Sequence, residues 1–151
     1  MLSKKQKDLI AEIWEGLISV ADDIGADALL SVSCVPRSVR RMFASYPGTK
    51  TYFSHLDISH RSAHLLSHGK KIVLAIAEGA KDISQLTVTL APLQTLHAYQ
   101  LRIDPTNFKL FSHCMLVSLA CHMGEDFTPE AHAAMDKYLS AFAAVLAEKY
   151  R

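Results

Sequence analysis

The chain has 151 residues and a formal net charge of +1, and 50% of its residues are hydrophobic while 21% are charged. This length is typical of one domain, and a domain of this size buries enough apolar surface to fold without disulfides. The balanced charge excludes the strongly basic surface typical of nucleic-acid binding, and no apolar run approaches the roughly 18 residues of a membrane span. Residues 1–8 lack the apolar stretch of a secretory signal. We therefore expect one soluble domain over residues 1–151, with neither nucleic acid nor a membrane as partner.

The chain has three cysteines, at positions 34, 114 and 121. An odd number cannot all pair within one chain, which favours a reducing compartment such as the cytoplasm. Cys114 and Cys121 share one apolar helical face, so we expect both to be buried, unreactive thiols.

Helix signals occur along the whole chain. Ser3 and Gln6 have the spacing of a capping box, and apolar residues follow them at helical intervals. A second apolar segment covers residues 24–30. Apolar positions recur with a helical period over residues 62–81, and the pattern continues over residues 84–101.

Two further helices have start signals that include a proline. Asp104 before Pro105 and Thr128 before Pro129 each combine an N-cap residue with a proline suited to the first turn. Apolar helical patterns follow both pairs, and few β-branched alternations occur anywhere in the chain. The sequence therefore predicts an all-α domain of about six to eight helices.

Two histidines lie where the helical pattern expects a leucine. The apolar positions 86, 90 and 93 lead to His97, and the apolar positions 65, 72 and 76 enclose His68. A single histidine of this kind can be a core residue that hydrogen-bonds to the backbone. Two of them on consecutive helices that face one core favour a shared ligand, because burying two imidazoles without partners is costly.

A zinc site is the alternative interpretation of the run His60, His64 and His68. The spacing of four residues puts three imidazoles on one helical face, but they span about 12 Å along the helix axis. One zinc ion needs each nitrogen within about 2.1 Å, so three ligands from one straight helix cannot close the site. A pair such as His60 and His64 could still bind zinc adventitiously.

Four segments carry a resemblance to a known family. They are YPGTKTYFSH at residues 46–55, LSHGKKI at 66–72, LHAYQLRIDPTNF at 96–108 and EKYR at 148–151. Through them the chain resembles the alpha-type chains of the vertebrate haemoglobins, and the likeness covers everything except residues 31–40. The resemblance implies a globin fold, with helices around a haem pocket and with residues 31–40 as an atypical insertion within the second helix.

Residues 31–40 cannot simply extend that second helix. Ten more helical residues would turn the following face through about 1000°, which leaves it about 80° out of phase with the core. Pro36 would cost about 3 kcal/mol inside a helix. We therefore expect a loop or a broken helix in this segment.

The resemblance also implies the cofactor and the residues that contact it. The cofactor is haem b (iron protoporphyrin IX), with His97 as the proximal iron ligand and His68 as the distal, oxygen-binding histidine. Phe53 is the aromatic residue that wedges the porphyrin. The other implied haem contacts are His55, Ile72, Leu93, Leu96, Leu101, Ile103, Asn107, Phe108 and Leu146.

The function that the resemblance implies is reversible oxygen binding and transport, without enzymatic turnover, in the cytoplasm of erythrocytes. The implied partner is a beta-type globin chain in an α2β2 tetramer. Positions that match subunit contacts of the family are Arg41, His113, Cys114, Phe127 and Asp136. Two other classes remain open, namely a haem enzyme such as a nitric-oxide dioxygenase or a peroxidase-like globin, and a haem-free helical interaction module.

Overall fold

The computed structural model describes residues 1–29, 51–52, 57, 59 and 62–150. Within these ranges lie six α-helices: α1 (Lys4–Leu17), α2 (Ala21–Leu29), α3 (Ala63–Lys81), α4 (Leu86–Thr95), α5 (Thr106–Met123) and α6 (Pro129–Ala147). Short 3-10 segments precede α2, α4 and α6, and a π-helix (Leu96–Leu101) follows α4. The described residues contain no strand, so the all-α prediction is confirmed. None of the helices just named is long and apolar enough to cross a membrane.

Three helices begin where local side chains satisfy their first backbone amides. Ser3 accepts from the backbone N–H of Gln6 at 3.2 Å, and the Gln6 side chain accepts from the backbone N–H of Ser3 at 3.0 Å. Ser62 caps α3 through the Leu65 amide, and Thr128 caps α6 ahead of a first-turn proline. The predicted starts of α1, α3 and α6 are therefore confirmed.

The main core lies around two buried aromatic side chains, Trp14 of α1 and Tyr138 of α6. The Tyr138 hydroxyl donates to the carbonyl oxygen of Ile76 at 2.5 Å, which ties α6 to α3. Burial raises the pKa of Tyr138 above its usual value, so the hydroxyl stays neutral and able to donate. All six helices contribute buried residues to this core, which holds α3 and α4 in fixed positions.

Helices α2 and α3 cross at two glycines, where their backbones approach closely. A Cβ atom added to Gly25 would lie 2.1 Å from the carbonyl oxygen of Gly69, and one added to Gly69 would lie 2.4 Å from the backbone nitrogen of Ala26. Only glycine leaves room for backbones this close. Because Gly69 directly follows His68, this crossing fixes the position at which α3 carries that histidine.

The cysteines differ in their surroundings. Cys114 is buried in a second apolar cluster with Leu29 and Leu65. Cys121, near the end of α5, is half-buried. The expected burial is thus confirmed for Cys114 and wrong for Cys121, because the last turns of α5 are less covered by the core. Residues 31–40, where we expect a loop, lie outside the described residues.

Replacing Gly25 with alanine should destabilise the fold. The added methyl group would have to displace the α3 backbone, and overpacking of this kind costs about 1–3 kcal/mol or more. Gly16→Ala in α1 is the matched control, because nothing lies within 4 Å of a Cβ at that position and alanine is the better helix former. Urea unfolding should give a lower midpoint for Gly25→Ala and an unchanged or higher one for Gly16→Ala. Equal midpoints would contradict the close crossing.

Candidate functional site

His97 is held in one ring orientation by its own helix. It is half-buried in the π-helix, and its Nδ1 lies 2.7 Å from the carbonyl oxygen of Leu93. A carbonyl oxygen only accepts, so Nδ1 carries the proton and donates it. In the neutral imidazole, Nε2 then keeps its lone pair, which is the form of histidine that binds a metal ion.

The backbone around His97 is not the continuous helix predicted for residues 84–101. The chain changes from α-helix to a wider π-helix directly before this residue. The Leu93 carbonyl oxygen accepts from the His97 ring at 2.7 Å and also from the backbone N–H of Leu96, at which the π-helix begins. The π-helix ends at Arg102, whose φ of 51° lies in the left-handed region.

The buried line of α4 differs by one position from the predicted apolar stripe. Leu86, Leu90 and Gln94 are buried, whereas Leu93 and His97 lie beside them and are half-buried. The buried residues follow one another at intervals of four. The predicted step of three residues from Leu90 to Leu93 therefore departs from the buried face. Sequence reasoning missed Gln94, although a glutamine four residues after Leu90 was the available signal.

An aromatic contact places α5 against the histidine. The rings of His97 and Phe108 meet edge to face, with centroids 5.6 Å apart. Phe108 meets Tyr150 in the same way at 5.9 Å. Burial, together with the nearby Tyr52 and Asp104, raises the pKa of Tyr150. The three rings link the candidate ligand to the end of the described chain.

The predicted distal residues lie on α3. Leu65 and Ile76 on this helix are buried, while His68 and Ile72 between them are half-buried. Ile72 packs against both apolar clusters, so it contacts the core from which α4 is also built. The structure therefore places His68 at the edge of an apolar helical face, as the pattern predicted.

The remaining predicted contacts fall into three groups. Leu146 belongs to the main core, and Ile72, Leu93 and Phe108 pack against that same core. Leu96, Ile103 and Asn107 are partly or fully buried, whereas Leu101 stands apart with 45% exposure. Two predicted residues lie outside the described part of the chain, namely Phe53 and His55.

The turn between the π-helix and α5 is shaped by a carboxylate. The Asp104 side chain accepts from the Thr106 hydroxyl at 2.6 Å and from the Thr106 backbone N–H at 3.0 Å. The Asn107 side chain donates to the Asp104 carbonyl oxygen at 2.9 Å. Helix α5 begins at Thr106, one residue later than predicted, and Pro105 precedes its first turn. The bond from the Thr106 backbone N–H to the Asp104 side chain caps this helix end.

Among the described residues, no group of three or more histidine, cysteine, aspartate or glutamate side chains could hold a metal ion. His60, which the alternative zinc interpretation needs, lies outside the described part of the chain. The described arrangement offers instead a single oriented imidazole next to apolar side chains. That donor set suits an iron cofactor bound through one histidine and an apolar pocket.

The described helices thus pack around an apolar core, and His97 next to that core donates from Nδ1 to the Leu93 carbonyl oxygen. Residues 37–146 match the sequence model of the family described as Globin. This match covers more than half of the chain, and the chain belongs to the globin family.

Curated relatives resemble the chain over its whole length. It is 50% identical to "Hemoglobin subunit alpha-D" of Coturnix japonica and 49% identical to the protein of the same name from Anser indicus. It is 48% identical to "Hemoglobin D subunit alpha" of Aldabrachelys gigantea. Each alignment covers 100% of this chain and 100% of the relative.

Replacing Thr106 with valine should raise the pKa of Asp104. The two hydrogen bonds from Thr106 hold the pKa of this carboxyl below 3.8, and the hydroxyl makes the larger contribution. The stabilising effect of the cap is present above the ordinary pKa and is lost as the pH falls through the lowered value. An NMR titration should therefore show a higher pKa in Thr106→Val, with the backbone bond retained. Thr87→Val, on an exposed part of α4, is the control, and an unchanged Asp104 pKa in Thr106→Val would contradict this assignment.

Proposed function

We propose that the chain is an alpha-type haemoglobin subunit that binds and releases O2 through haem b (iron protoporphyrin IX). The observation that carries this proposal is the 2.7 Å bond from His97 Nδ1 to the Leu93 carbonyl oxygen, which prepares Nε2 as an iron ligand. Relatives named as haemoglobin alpha-D subunits, about half identical over the full length, support the same role.

The described residues fit a haem. A neutral imidazole is the proximal ligand in globins, and a carbonyl that accepts from the opposite ring nitrogen increases its basicity. Apolar side chains from three elements contribute to one core, with Leu146 of α6 inside it and Ile72 of α3 and Leu93 of α4 packed against it. When bound, haem supplies a ferrous iron with one coordination position open to O2.

His68 has the distal role in this proposal. Its imidazole N–H can donate a hydrogen bond to the ligand, and a hydrogen bond to a charged group is worth about 1.5–3 kcal/mol. That range corresponds to roughly tenfold to 150-fold in affinity. The apolar residues of the pocket exclude water and protons, which would otherwise promote oxidation of the iron. We therefore assign a carrier function rather than an enzymatic one.

We further propose a beta-type globin chain as partner in an α2β2 tetramer inside erythrocytes. The relatives are named as subunits, which supports an assembly of several chains. A cavity of about 230 Å³ between α5 and α6 includes His113 and Asp136, both of which match subunit-contact positions by resemblance. The same resemblance makes residues 31–40 an insertion relative to alpha-type chains.

His97→Gly should abolish proximal ligation. The variant loses the imidazole that would bind iron, so the deoxygenated protein should lack the five-coordinate ferrous spectrum of the unmodified protein. Added imidazole should restore that spectrum, because the small molecule can occupy the space that the side chain leaves. The measurement is the absorption spectrum of the deoxygenated variant, recorded with and without added imidazole. If the variant without added imidazole has the same spectrum as the unmodified protein, His97 is not the ligand.

His68→Leu should retain haem but release O2 about tenfold faster or more, because the donated hydrogen bond is lost. Oxidation to ferric iron should also accelerate. Carbon monoxide carries less negative charge on its outer atom, so its dissociation should change much less. The control is His64→Leu, one turn earlier on α3 at an exposed position. In stopped-flow experiments this variant should change neither the O2 dissociation rate nor the carbon monoxide dissociation rate. Equal effects of His68→Leu on both gases would argue against a hydrogen-bonding role.

A further inference from the structure

Gln94 is a buried polar side chain that joins α4 to the end of α6. It is 3% exposed, although it continues the apolar line of Leu86 and Leu90. Its Nε2 lies 2.6 Å from the carbonyl oxygen of Val145 and 3.2 Å from the Glu148 carboxylate. The amide nitrogen has two hydrogens, and both therefore have an acceptor on α6 or directly after it.

The acceptors belong to a helix end, where backbone carbonyls have no further intrahelical partners. The Val145 carbonyl accepts from the backbone N–H of Glu148 at 3.2 Å as well as from Gln94. The adjacent residue on α4 adds a second link, since Lys149 Nζ donates to the Thr95 hydroxyl oxygen at 3.0 Å. Two consecutive residues of α4 thus bond to the last turn of α6 and the residues after it.

Gln94 also adjoins the peptide group that orients the candidate iron ligand. The Leu93 carbonyl, which accepts from His97 Nδ1, belongs to the peptide bond between Leu93 and Gln94. A movement of Gln94 relative to α6 would move that carbonyl and hence the histidine ring. A leucine would fill the same line of α4 without desolvating an amide, so burial alone does not explain a glutamine there.

We propose that Gln94 is a positioning residue for His97, which acts by fixing the Leu93 carbonyl to the end of α6. This inference rests on the proposed haem function. It makes the end of α6 a determinant of the iron–histidine geometry, through polar contacts that are separate from the aromatic contacts of Phe108 and Tyr150.

Two variants of the full-length, haem-loaded protein test the proposal. Gln94→Leu keeps the bulk and removes both hydrogen bonds, while Gln94→Glu keeps the shape but places a carboxylate against Val145 and Glu148. Gln100→Leu is the matched control, because it removes an exposed glutamine of the π-helix. The two measurements are hydrogen exchange of the amides at positions 95–97 and the iron–histidine stretching band in resonance Raman spectra of the deoxygenated form.

Hydrogen exchange at these amides should accelerate about fivefold in Gln94→Leu and about tenfold or more in Gln94→Glu. The iron–histidine band should shift in both variants and stay in place in Gln100→Leu. Glu148→Gln added to Gln94→Glu should move the band back toward its original position, because the new amide can donate to the new carboxylate.

A band that stays in place in both Gln94 variants, with exchange accelerated equally throughout the protein, would show that Gln94 only stabilises the fold and would overturn the inference. The absence of the band in the unmodified protein would instead overturn the proposed function. The two failures are therefore distinguishable.

Discussion

The hydrogen bond between His97 Nδ1 and the Leu93 carbonyl oxygen is the constraint on which the site depends. It determines which ring nitrogen carries the proton, and it fixes the rotation of the ring. The same carbonyl also accepts from the backbone N–H of Leu96, at which the π-helix begins. The bond between ring and backbone therefore determines which nitrogen of His97 is available to a ligand.

Helix α4 cannot hold that unit in place by its own propensity. Pro92 lacks a backbone N–H inside the helix, and Thr87, Val88 and Thr89 are mediocre helix formers. The position of α4 must come from packing against the core through Leu86 and Leu90 and from polar contacts with α6. The crossing of α2 and α3 depends on glycines that allow no added side chain. Helix α3, which contains His68, and helix α4, which leads to His97, are thus held by tertiary contacts of different kinds.

Features that depend on a few neighbouring residues could be predicted from the sequence. The caps at Ser3, Ser62 and Thr128 each involve a partner three residues away, and the structure has all three. The half-buried position of His68 on an apolar face also follows from helical spacing. The Val145 carbonyl to which Gln94 donates is 51 residues away, and the π-helix is a local change of helix type that begins at Leu96. Neither has a periodic signal, and the haem-contact roles came from family resemblance rather than from spacing.

Two interpretations of His97 stood as alternatives in the sequence, a core histidine bonded to the backbone and a ligand. The structure has the backbone bond of the first interpretation, and this bond is compatible with the second because it leaves Nε2 unprotonated in the neutral ring. A histidine whose Nδ1 had no carbonyl partner could present either nitrogen as the protonated one, and only one of the two tautomers would offer Nε2 to iron. The Leu93 carbonyl removes that ambiguity, and half-burial keeps the ring from being enclosed by the core. A backbone-bonded histidine at the edge of an apolar core is therefore already prepared as a ligand.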